Sequence, residues 1–189
     1  MPINCHRRAM ILLLAFVTPG IAGVVDRVAV VIGKKVVTES EVVDDLRLTE
    51  FLNNAPLNTG PAARREEAEH LVDQELLRTE MDLSGFSQPA AGQADVLLGK
   101  FRKQQYRSDA EYRAALEKYG VSETELKQRL LWQYTAIQFT DFRFRDPAPT
   151  DGAATDGNAP QAGVDRQMEA WLKQARSNTT IVIKPEAFQ

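Results

Sequence analysis

The stretch VVDRVAVVIGKKVVTESEV, residues 24–42, limits the fold more than any other part of the chain. Of the nine residues from Val24 to Ile32, seven are apolar and most are β-branched, the composition of a buried strand. Gly33-Lys34 supplies a two-residue turn, and Lys35 to Thr38 returns as a second strand. A two-stranded hairpin is marginal in water, so a further strand or a helix must reach it from elsewhere in the chain. Finding that cover organises the remaining segments.

Helices follow the hairpin. Thr38-Glu39-Ser40-Glu41 has the capping-box form and opens a helix to about Asn53. Pro61 suits the first turn of a second helix, which carries Leu71, Val72, Leu76 and Leu77 and stops near Ser84-Gly85. A third helix is expected over about 91–105. A fourth is expected over 109–119, with Ser108 as its cap and Gly120 as its stop. Ser122-Glu123-Thr124-Glu125 repeats the capping box and starts the longest helix, ending near Arg145. On it Leu126, Leu130, Tyr134, Ile137 and Phe144 form one stripe, with Leu131 and Phe142 to one side and Trp132 and Phe139 on roughly the opposite side.

Residues 146–165 are different material. They hold five Ala, four Asp, three Pro and three Gly, with no aromatic, Leu or Ile, and read as a disordered linker spanning on the order of 25 Å. Beyond it, a helix over 164–176 and a strand over 179–183 are too short to stand alone in water. The expectation is that this strand pairs with the hairpin and its helix lies over it. The fold class is therefore mainly α with a small antiparallel β-sheet. Its parts are an N-terminal hairpin and helical bundle over 23–145, closed by a C-terminal helix and strand over 166–189.

The first 22 residues read as a secretory signal: Arg7 and Arg8, an apolar run from Ala9 to Val17, then a small-residue cut after Ala22. Nine apolar residues are too few to cross a bilayer core of roughly 30 Å, so no stable membrane insertion is expected once the signal is cut. Losing Arg7 and Arg8 with the leader would take the net charge from −3 to −5 and remove Cys5, the chain's one cysteine. Neither charge argues for nucleic acid, and a chain without cysteine depends on packing alone.

Catalytic chemistry is sparse. His70 is the one imidazole beyond the leader, and the sequence holds no metal-ligand spacing, phosphate loop or nucleophile motif. No cofactor or metal is expected, and catalysis is not. The charges Arg64-Arg65 and Glu66-Glu67-Ala68-Glu69 read as a solvated helix face.

The opening hairpin, then DAEYRAALEKYGVSETELKQRLLWQ, then FRFRD, then WLKQARSNTTIVI, together resemble the SurA family of periplasmic chaperones. The resemblance covers nearly all of 24–146 and 166–184. It implies one core module built from both ends of the chain. It also implies an ATP-independent holdase for unfolded outer-membrane proteins, located in the periplasm. The chain departs from the family where the latter often carries parvulin isomerase domains: here only the linker stands, and no catalytic residue carries over. The expected contact residues for extended clients are Leu98, Phe101, Tyr106, Tyr112, Tyr119, Trp132 and Phe139. The alternatives are a non-catalytic scaffold for one envelope partner or a remnant of an isomerase, and a homodimer is left open.

Overall fold

The computed structural model describes residues 26–87, 89–90, 92–145 and 159–189. The expected leader and residues 146–158 of the expected linker lie outside the described residues. The hairpin forms as expected. Strand β1, Val28–Ile32, and strand β2, Lys35–Thr38, pair antiparallel, and Gly33 takes a left-handed φ of 57° at the turn. Helix α1, Glu39–Leu52, begins on Thr38, whose hydroxyl accepts from the Glu41 N–H while the Glu41 carboxylate accepts from the Thr38 N–H at 2.7 Å. Asp26 accepts from the N–H and the hydroxyl of Ser40, so the entry to β1 and the start of α1 are tied side by side.

Helix α2, Pro61–Ser84, ends at Gly85 with φ 65°. Helices α3, Gln93–Gln105, and α4, Asp109–Tyr119, form a small corner, and α5, Glu123–Phe144, returns from it under a second complete capping box, Ser122 with Glu125. Helix α6, Ala159–Asn178, leads into β3, Ile181–Ile183, and a closing 3-10 turn, Pro185–Phe188.

The C-terminal strand does cover the hairpin. β3 pairs antiparallel with β1, giving the order β2-β1-β3, with Val31 opposite Val36 on one side and Val182 on the other. Above the inner face of this sheet lies α2 rather than the last helix. Ala68, Val72 and Leu76 recur every fourth residue along α2 and meet Ala29, Val30, Ile32 and Val37, with Val42, Ala187 and Phe188 completing the cluster. Each large apolar side chain sealed there contributes about 1.5–3 kcal/mol. Helix α6 touches this core only at its margin, through Trp171 and Ala175. The small Ala68 lets α2 approach the strands, which a helix presenting Trp171 cannot match.

The tail is also held by charge. Arg176 of α6 donates to Asp73 at 2.6 Å and to the Glu69 carboxylate at 2.8 Å. Arg64 of α2 pairs with Glu39 and donates to the carbonyl of Ala187. The stretch read as linker is shorter than expected, because α6 starts at Ala159. Composition alone undercounted it: Ala is the best helix former, Pro160 is tolerated in a first turn, and Val164 is buried.

Candidate peptide-binding groove

The seven expected contact residues fall into two groups. Leu98, Phe101, Tyr106, Tyr112 and Tyr119 come together around Phe51 of α1, with Leu48, Val121 and Leu126. Phe51 stands 5.8 Å from the Phe101 ring and 5.7 Å from the Tyr119 ring, and Tyr106 and Tyr112 are 5.4 Å apart. Leu98, Tyr112 and Tyr119 are buried, while Phe101 and Tyr106 are half-buried against them. The hydroxyl of Tyr119 donates to the carbonyl of Ala55 at 2.6 Å, and that of Tyr112 to Glu123 at 3.3 Å. Burial and the adjacent Glu123 push the Tyr112 phenol up to about 12. These residues pin α3 and α4 to α1 and offer a client little surface.

Phe139 is fully buried among Leu77, Met81, Phe86 and Trp171, so its truncation reports on folding. Tyr106 and Tyr112 edge an opening of about 290 Å³ with Arg102, Lys103, Arg107 and Asp109, and Trp132 lines a cavity between four helices. That cavity, about 360 Å³, lies between α1, α2, α5 and α6, with Leu52, Leu77, Trp132, Ala136, Met168 and Leu172 as its apolar walls. Another opening of about 710 Å³ shares Gln74, Arg129 and Trp132 with that cavity and reaches toward Lys35 and Glu41. Trp132 partitions the two and is capped by the Arg78 guanidinium 4.4 Å from its ring.

Behind Trp132 and Ala136, the fully buried Phe139 leads through the core to exposed apolar side chains. Phe139 meets Phe86 edge-on at 5.2 Å, and Phe86 meets Phe142 at 5.8 Å. Phe142 is 72% exposed and Leu83 80%. Ile137, placed by periodicity on the stripe of Leu126 and Phe144, is 66% exposed while those two are buried. The residues buried on α5 are Leu126, Arg129, Thr135, Phe139 and Phe144. The helix is turned so that a charged residue points inward.

That charge organises the groove floor. The buried Arg129 guanidinium sits 2.6 Å from the Asp45 carboxylate, and it donates to Gln74 Oε1 at 3.1 Å and Thr49 Oγ1 at 3.0 Å. Thr49 in turn donates to Glu67 at 3.3 Å. Glu67, read from the sequence as part of a solvated face, is only 4% exposed. Burial, reinforced by Asp45, pushes its carboxyl up to about 8, with Arg129 and Thr49 pulling less strongly the other way. Glu67 therefore enters the neutral range protonated, beside an Arg–Asp pair that links α1 to α5.

Among the described residues no three metal-ligating side chains converge, and no helix is long and apolar enough to cross a membrane. The floor offers hydrogen bonding to a guest and the walls offer apolar contact. No protein-family model and no curated protein matches the chain, so the kinship with the SurA family stays a resemblance of residues and motifs.

Proposed function

We propose that the protein is an ATP-independent holdase of the bacterial periplasm that shields extended, aromatic-rich segments of unfolded outer-membrane proteins without catalysing a reaction. The observation that carries this reading is the open groove at Trp132, with Leu83 and Phe142 exposed beyond the buried Phe139. An apolar-walled groove left open, with large apolar side chains exposed nearby, commonly marks a binding surface. The groove's mixed polar and apolar lining suits many sequences rather than one. Net negative charge discourages contact with folded acidic proteins and leaves the apolar groove as the attractive surface.

The reading is tested by light scattering of an unfolded outer-membrane β-barrel protein diluted into buffer. Near-stoichiometric amounts of the protein are expected to suppress aggregation, with no change on adding ATP. Met168→Glu and Leu172→Glu each place a carboxylate in the groove wall at half-exposed α6 positions, and unchanged far-ultraviolet dichroism is expected to show the fold intact. Each is expected to raise the concentration needed about tenfold, since a desolvated charge costs at least ~1.4 kcal/mol of binding. Full activity in both variants would remove the groove from the account.

A further inference from the structure

Among the described residues, the main chain of two of the three β3 residues, Ile181 and Ile183, has no partner. Gly33 N–H donates to the Thr180 carbonyl at 2.8 Å and Lys184 N–H to the Ala29 carbonyl at 2.8 Å, with Val182 opposite Val31 between them. In an antiparallel ladder the N–H and C=O of one residue point the same way, and successive residues alternate. Thr180, Val182 and Lys184 thus turn their main chain to β1, whereas Ile181 and Ile183 turn theirs to the open edge of the sheet. The side chains alternate in the other direction. Ile181 and Ile183 pack on the core, and Val182 stands 40% exposed on the outer face. There it forms a row with Val31 and the 43%-exposed Val36, and Val28 on the same strand as Val31 is also exposed.

Edge strands are usually blunted by a charge, a proline or a bulge within the strand. β3 is Ile-Val-Ile, with Lys184 and Pro185 only after it. We propose that this edge pairs with the β3 edge of a second copy, antiparallel, about a two-fold axis through Val182.

The edge is complementary to itself in this register and satisfies every outward group. Ile181 meets Ile183 of the second copy as a hydrogen-bonded pair, and Ile183 meets its Ile181, so both N–H and both C=O groups on each copy are used. Val182 then lies across the axis from the second copy's Val182 on the outer face. The row Val36, Val31, Val182 continues into the same three residues in reverse order, joining two apolar faces that each sheet leaves open. Lys184 falls opposite Thr180, so no lysine faces its own copy. Three residues bury far less than the roughly 1,200–2,000 Å² of a stable interface, so the pair forms reversibly, at micromolar to millimolar concentrations on the order of those of weak encounters.

Sedimentation velocity of the chain across this concentration range is expected to show a monomer shifting toward dimer. Val182→Lys, at an exposed site, sets two ammonium groups against each other and is expected to leave a monomer throughout, with unchanged far-ultraviolet dichroism. In a chain carrying Cys5→Ser, Val182→Cys is expected to give a disulfide-linked dimer on mild oxidation, because residues opposite each other at such a position have Cα atoms about 4.5 Å apart. Val36→Cys, equally exposed on the far strand, is expected to cross-link at least tenfold more slowly. A wild-type chain that stays monomeric at millimolar concentration, or equal cross-linking at both positions, overturns the proposal. So does a Val182→Lys chain that sediments like wild type but no longer holds clients, which would give the edge to extended polypeptides instead.

Discussion

Glu67→Gln is expected to make the protein more stable, by an amount that grows with pH. The carboxyl is pushed up to about 8 in the fold and has an ordinary value of 4.5 when unfolded. Below pH 4.5 both states hold the proton and Glu67 contributes nothing to the pH dependence. Between 4.5 and 8 the unfolded chain releases it while the folded chain keeps it, so stability falls as pH rises, by up to ~1.4 kcal/mol per unit. Above 8 the loss is complete and levels off. Gln keeps the shape and a donor beside Asp45 but has no proton to lose. Its advantage should be near zero at pH 4.5 and about 2–4 kcal/mol at pH 8. Urea unfolding at pH 5, 6.5 and 8 checks it, and curves for the two proteins that stay parallel across this range would refute the buried-acid reading. Arg129→Met acts in the opposite sense, since it strands Asp45 beside Glu67; a loss of about 3–5 kcal/mol is expected, partly recovered by adding Asp45→Asn.

Ending the chain after Arg145 is expected to abolish cooperative folding. The cut removes the strand that covers β1, the buried Val164, Ala187 and Phe188, and the Arg176 contacts with Asp73 and Glu69. Three such side chains and the exposed strand edge amount to several kcal/mol, comparable to the ~5–15 kcal/mol total stability of a domain. The shortened chain should keep helical far-ultraviolet dichroism, lose its near-ultraviolet signal, and lack a sharp urea transition. A peptide of residues 159–189 added in excess should restore that transition. A shortened chain with the urea midpoint of the intact protein would show the tail to be dispensable.

What the sequence reveals here is local or obligatory. Both capping boxes, Pro61, and the glycines at 85 and 120 act within a few residues of themselves, so the helix ends are readable from the chain. The pairing of β3 with the hairpin is readable because neither has another way to satisfy itself, whereas the choice of β1 as its neighbour is not. The rest depends on choices that periodicity leaves open. The 3.6-residue period finds the apolar side of a helix and not its neighbour, so α2 rather than α6 covers the sheet. Aromatic content does not separate a wall from a core, and Tyr112, Tyr119 and Phe139 turn out to hold helices together. Arg129 and Glu67 were hidden because charges on a helix are ordinarily solvated. The one hint was spacing: Arg129 lies three residues after Leu126, on the same face of α5.

Site-specific photo-cross-linking tests the groove most directly. A benzophenone side chain is placed in turn at positions 132, 172 and 142, and at Val96, an exposed apolar site on α3 that lines neither cavity. Each protein is then irradiated with an unfolded outer-membrane protein. Strong adducts from the first three positions and background from position 96 are the predicted result; equal yields at all four, or none at position 132, would contradict it.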